Sequence, residues 1–84
     1  MQIEYHKHLK KQYSKLSQKI QVKFANRLKV FVDNPFDKGL NNHPLHGDYS
    51  EYRSINVTGD IRAVYEVRGN TVIFLIIDTH SNLY

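Results

Sequence analysis

No cysteine occurs in these 84 residues, which excludes a disulfide scaffold, a cysteine-ligated zinc site and thiol catalysis. A small domain without such staples suits a reducing cytoplasm. The opening Met1-Gln2-Ile3-Glu4-Tyr5 lacks the basic-then-apolar layout of a signal peptide. The longest strongly apolar run, Thr71 to Ile77, is far too short to span a bilayer. The expectation is a soluble, cytoplasmic protein with no membrane partner. A glycine-rich phosphate loop, a serine nucleophile elbow and a carboxylate pair at glycosidase spacing are all missing, so those enzyme classes have no support. Acidic residues are in short supply, 8 against 12 lysines and arginines, for a net charge of +4. Five histidines add to that charge below neutral pH. Such a balance fits a polyanionic partner, either nucleic acid or an acidic protein, and equally fits simple solubility.

What is present is enough for one domain spanning residues 1–84, with one modest core. The apolar fraction of 40% is ordinary for a globular chain and argues against disorder. Gln2 to Tyr5 reads as a short strand. Leu9, Tyr13, Leu16 and Ile20 then fall four, three and four apart, one helical stripe that Phe24, Leu28 and Phe31 continue. Ser17 is placed to cap a second helix, which predicts a helical hairpin broken near Ser17-Gln18. Asn34-Pro35 stops that helix, because a residue before proline is pushed out of the α region. Lysines, Lys10 and Lys11 among them, fill the polar side of the hairpin. That side reads either as an RNA-tracking surface or as a solvated helix face.

Phe36 to Asp48 reads as loop. Three β-branched and aromatic runs follow, Tyr52–Val57, Ile61–Val67 and Thr71–Ile77, separated by turns at Thr58-Gly59-Asp60 and Arg68-Gly69-Asn70. The order β-α-α-β-β-β is an α+β domain, a helical hairpin on a small, mainly antiparallel sheet. With two-residue loops at Gly59-Asp60 and Gly69-Asn70, alternation puts Arg53, Ile55, Val57, Arg62, Val64, Glu66 and Ile77 on one face. Ser54, Asn56, Ala63, Tyr65, Val72, Phe74 and Ile76 take the other, more apolar face, which the helices are expected to cover.

The chemistry-bearing residues are in the His43-Pro44-Leu45-His46-Gly47 loop and the Asp78-Thr79-His80-Ser81-Asn82-Leu83-Tyr84 tail. His43, His46 and His80 suit proton transfer. For metal, the proline between His43 and His46 denies them a shared helix face, and no metal or other cofactor is called for. Arg53 and Arg62 suit bidentate phosphate binding. Asp60 suits orienting a histidine or acting as base, or simply shaping its turn. Arg62 has a structural alternative in Glu66, two residues along the same strand face.

These stretches, with Tyr52-Arg53-Ser54-Ile55-Asn56-Val57-Thr58-Gly59-Asp60-Ile61-Arg62-Ala63-Val64-Tyr65 between them, resemble the YafQ branch of the RelE/ParE toxin superfamily. The shared pattern is an H-P-L-x-G loop, an R-x-x-x-V-x-x-D type hairpin and a final T-H-x-x-L-[FY]. The resemblance implies a RelE-like fold. It implies the toxin of a type II toxin–antitoxin pair, with a cognate antitoxin protein as partner. It also implies a metal-independent, ribosome-dependent endoribonuclease that cuts mRNA in the A site, beside 16S rRNA, and so inhibits translation. Carried over by position, His43, Asp60 and His80 match catalytic residues, and Tyr84 matches a terminal aromatic that stacks on or positions a base. Arg62 looks like the phosphate-contacting arginine of the RelE branch. Arg53, His46, Asn56, Lys10 and Lys11 are the expected RNA contacts. Three positions depart from the YafQ pattern: Asn56 replaces a histidine, Ile61 a tryptophan, and Ile76 a late-strand arginine. The alternatives are a ParE-like gyrase inhibitor and a catalytically weak toxin fold that only binds.

Overall fold

The computed structural model describes residues 1–83. β1 (Gln2–Tyr5) leads into α1 (Lys7–Ser14) and α2 (Gln18–Asp33). A 3-10 turn at Lys38–Leu40, the short β2 (His43–Pro44) and a second 3-10 turn at Gly47–Tyr49 precede β3 (Arg53–Asn56), β4 (Ile61–Arg68), β5 (Thr71–Thr79) and the tail helix α3 (His80–Leu83). The five strands lie in the order β1-β5-β4-β3-β2. β1 runs parallel to β5 and every other pair is antiparallel. The α+β architecture is the expected one; β2 and α3 fall in stretches without readable periodicity.

The local chemistry explains the helix boundaries. Ser17 Oγ accepts the Ile20 amide at 3.3 Å, so the expected cap does start α2. Gln21 ties the two helices together by donating to the Tyr13 carbonyl at 2.9 Å, while the Tyr13 hydroxyl donates to the Gln21 carbonyl at 3.3 Å. Leu9, Phe24 and Phe31 are buried from the helices, against Ile55, Val57, Ala63, Tyr65, Val72, Phe74 and Ile77 from the sheet. Each large side chain removed from water here contributes about 1.5–3 kcal/mol.

Two register features correct the expected faces. The first turn is a three-residue loop: Val57 and Thr58 both donate to the Ile61 carbonyl, and Arg53 to Asn56 pair with Tyr65 to Arg62. Thr58 causes the slip. Its hydroxyl accepts the Asp60 and Ile61 amides at 3.2 and 2.9 Å, drawing Thr58 itself into the turn. β3 is therefore inverted relative to the expectation. Ile55 and Val57 go to the core, and Ser54 and Asn56 join Arg62 on the face away from the helices. The second turn keeps its two residues, with Gly69 at φ 60°, where only glycine is unstrained. A bulge in β5 then intervenes, since Tyr65 pairs with Phe74 but Val64 pairs with Ile76. The extra residue, Leu75, turns Ile77 inward and Ile76 outward.

α1 braces that bulged strand. β1 ends its pairing at Tyr5, opposite Phe74, and beyond it the Ile77 amide donates to Gln12 Oε1 at 3.0 Å. Gln12→Ala leaves this amide without its partner and is expected to cost about 1–3 kcal/mol. Gln12→Glu keeps an acceptor and should recover most of the loss. Urea midpoints measure both, and an Ala variant indistinguishable from the parent would show that α1 does not brace β5.

Candidate functional site

The face of the sheet away from α1 and α2 carries two cross-strand rows. His43, Ser54, Val64 and Ile76 form one, and Asn56, Arg62 and Asp78 the next towards the β3–β4 turn. Directly paired residues share a face, so His43, Asn56 and Arg62 all belong to it. From strand spacing and rise, the Cα atoms of His43 and Arg62 are about 12 Å apart, and those of Arg62 and Ile76 about 8 Å. The surface between them is within reach of an arginine and a histidine side chain.

The turn gathers the rest. Arg62 Nη1 donates to the Thr58 and Gly59 carbonyls at 3.0 and 2.9 Å, which folds the guanidinium back against the turn. Its Nε is buried with no hydrogen-bond partner, as are Ser54 Oγ and Asn56 Oδ1 on the same face. Orphaned buried polar atoms are costly, and these three cluster on the same face of the sheet. Asp60 is exposed at the tip of the turn. Its carbonyl accepts the His80 amide at 2.8 Å and so joins the turn to the start of α3. Asp60, Arg62 and His80 thus meet at one corner of the sheet.

His80 is held there by neighbours that the sequence reading passed over. Asp78 Oδ1 accepts the Thr79 amide at 2.7 Å and the Asn82 side-chain amide at 3.1 Å. Thr79 Oγ1 accepts the Asn82 amide at 3.3 Å, in the manner of a cap. The signal was present as Asp78 and Asn82 four apart with Thr79 three before Asn82, the spacing of a single helical turn. His43 is half-buried in β2, with Nδ1 2.7 Å from the Asn41 carbonyl.

Other expected residues lie elsewhere. Arg53 is on the opposite face from Arg62, a correction that follows from the slipped turn. Its Nε donates to Asn42 Oδ1 at 2.7 Å, and its guanidinium carbon is 5.2 Å from the Phe36 ring centroid. Asn42 in turn donates to the Tyr65 hydroxyl and the Pro35 carbonyl, so Arg53 fastens the loop after α2 to the sheet. Lys10 and Lys11 are exposed on α1, in the helical layer. His46 is exposed just before the 3-10 turn at Gly47–Tyr49 and makes no capping bond. Glu66 pairs with Arg68 at 3.1 Å rather than with Arg62. Tyr84 lies outside the described residues. Among the described residues no three histidine or carboxylate side chains converge as a metal site, and no helix is long and apolar enough to cross a membrane.

The comparisons with known proteins come down on the same family. A model of the YafQ bacterial toxins of type II toxin–antitoxin systems matches residues 1–84. YafQ from E. coli strain BL21(DE3) superposes with a TM-score of 0.78 at 25% identity, over 98% of this chain and 96% of that one. YafQ in the E. coli DinJ–YafQ toxin–antitoxin complex gives 0.76 at 26% identity, over 98% and 94%. A YoeB/ParE toxin from Agrobacterium tumefaciens gives 0.80 at 21% identity, over 95% and 99%, a likeness of fold. No curated protein sequence matches the chain.

Proposed function

This chain belongs to the YafQ family of bacterial type II toxin–antitoxin toxins, and from that premise we propose that it is a metal-independent endoribonuclease that cuts mRNA in the ribosomal A site. In this reading it acts in the cytoplasm and is held inactive by a cognate antitoxin, as YafQ is found with DinJ. The observation that carries the reading is the corner where Asp60, Arg62 and His80 meet beside buried polar atoms without partners.

The reaction begins when a base takes the proton of a ribose 2′-hydroxyl and the oxygen attacks the adjacent phosphorus. The P–O5′ bond breaks as an acid delivers a proton to the departing 5′-oxygen. The products are a 2′,3′-cyclic phosphate and a 5′-hydroxyl. Proton transfer falls to His80 and His43, with Asp60 beside His80 as orienting group or base. The phosphorane-like transition state carries extra negative charge, which Arg62 stabilises through donors that the turn leaves unused. Ile76, which replaces the arginine of the YafQ pattern, sits one strand and one row from Arg62. The phosphate-holding charge has in this view moved from β5 to β4. Asn56 and His46 contact the RNA at the margins of this face, and Tyr84 stacks on a base.

Arg62→Ala should slow single-turnover cleavage of mRNA on programmed ribosomes by about two to three powers of ten. Arg62→Lys should restore only part of the rate, since an ammonium lacks the guanidinium fork. Cleavage by Arg62→Ala at the parental rate would remove Arg62 from the mechanism.

A further inference from the structure

Lys19, Lys23 and Arg27 stand one helical turn apart on α2, so that about 6 Å of helix separates each from the next. All three line a single cleft of about 340 Å³, whose other wall is Asn56, Thr58 and Gly59. None is in an ion pair among the described residues, where the one salt bridge joins Arg68 to Glu66. Arg27 Nε donates to the Val57 carbonyl at 3.4 Å, which fixes the last cation against the end of the sheet. β2 pairs only with Arg53 and Ser54, so it does not extend over Asn56, which lines the cleft.

The Thr58-Gly59-Asp60 turn separates this cleft from the catalytic corner. Thr58 and Gly59 line the cleft, and their carbonyls hold Arg62. A polyanion leaving Arg62 over the turn therefore meets Lys19, Lys23 and Arg27 next. We infer that the α2 cleft is a second phosphate-binding site, which takes the RNA backbone beyond the scissile nucleotide. The inference rests on the RNA-cleaving reading above and extends it to a surface outside the catalytic face. An acidic amphipathic helix fits the cleft poorly, because such a helix needs an apolar seam beside its charges. Ile20 is the one large apolar side chain lining the cleft. A sugar–phosphate backbone needs cations and hydrogen-bonding groups, which is what the lining offers.

The test uses the full chain carrying Lys19→Gln and Lys23→Gln together, with Lys29→Gln as control, an exposed residue of α2 outside the cleft. One probe is a single-stranded RNA oligonucleotide with 2′-O-methyl riboses, which cannot be cut. The other is ribosomes programmed with the same modified message. The double variant should bind roughly tenfold more weakly than the control, and its slope of log affinity against log salt should be shallower by roughly 1.4, about 0.7 for each lost phosphate contact. Loss on both probes assigns the cleft to the message strand; loss on ribosomes alone assigns it to ribosomal RNA backbone. Unchanged affinity and slope on both probes overturn the inference while leaving the catalytic reading standing. Selective loss of binding to a polyglutamate peptide also overturns it and makes the cleft a protein-docking surface. If the parent cuts mRNA yet binds neither probe, the cleft holds no RNA and the inference falls.

Discussion

His80→Ala should cut mRNA about two to four powers of ten more slowly than the parent, with the stability of the fold unchanged. Two halves of the site explain the contrast. The tail turn depends on the His80 amide, which donates to the Asp60 carbonyl, and on Asp78, Thr79 and Asn82. Alanine retains all of these bonds. The imidazole is exposed, so its removal creates no core cavity. The rate reads the loss of the imidazole as a proton-transfer group. His80→Gln separates the roles, because glutamine keeps hydrogen-bonding capacity without proton transfer. Both variants should show parental urea midpoints and similarly depressed single-turnover rates. A parental rate for His80→Ala would make the tail histidine structural.

Phe74→Ala should destabilise the domain by about 3–5 kcal/mol. Phe74 is fully buried, and its ring centroid lies 5.3 Å from Tyr65, 5.4 Å from Phe31 and 5.8 Å from Phe24. It is where Phe24 and Phe31, two turns apart on α2, meet the sheet, so truncation opens a cavity and removes two edge-to-face ring contacts at once. In a domain whose total stability is of order 5–15 kcal/mol, that is a large share. The β5 bulge makes a sharper statement about its neighbours. Ile77 is buried and Ile76 is half-buried on the opposite face, so Ile77→Ala should cost more than Ile76→Ala. Urea denaturation of the three variants gives the ranking. Equal costs at positions 76 and 77 would contradict the bulge.

These adjacent isoleucines also show why the sequence revealed the elements more fully than their faces. The helical stripe from Leu9 to Phe31, the Ser17 cap and the stop at Asn34-Pro35 each rest on a strong local rule, and each is found. Which of Ile76 and Ile77 points inward is invisible to a pattern of apolar residues, since both satisfy it. The first turn was ambiguous for a related reason. Thr58-Gly59-Asp60 suits a two- or a three-residue loop, and the Thr58 hydroxyl decides between them through bonds that no periodicity encodes. That one-residue slip moved Asn56 beside Arg62 and took Arg53 to the far face. The candidate catalytic residues were legible as types and positions. Their assembly was not, because Asp60 meets His80 through a backbone bond between elements twenty residues apart. The tail helix is a single turn, too short for any helical period, and only its side-chain bonds reveal it.

The central claim is that this chain itself cleaves RNA through 2′-hydroxyl attack at the corner formed by Asp60, Arg62 and His80. The most direct test incubates the purified parent with ribosomes carrying an end-labelled message, then maps the cut and identifies the new ends. The account predicts a cut in the A-site codon that leaves a 2′,3′-cyclic phosphate and a 5′-hydroxyl, and no cut when the attacking ribose is 2′-O-methylated. An intact message, or a cut that the 2′-O-methyl group does not block, would contradict it.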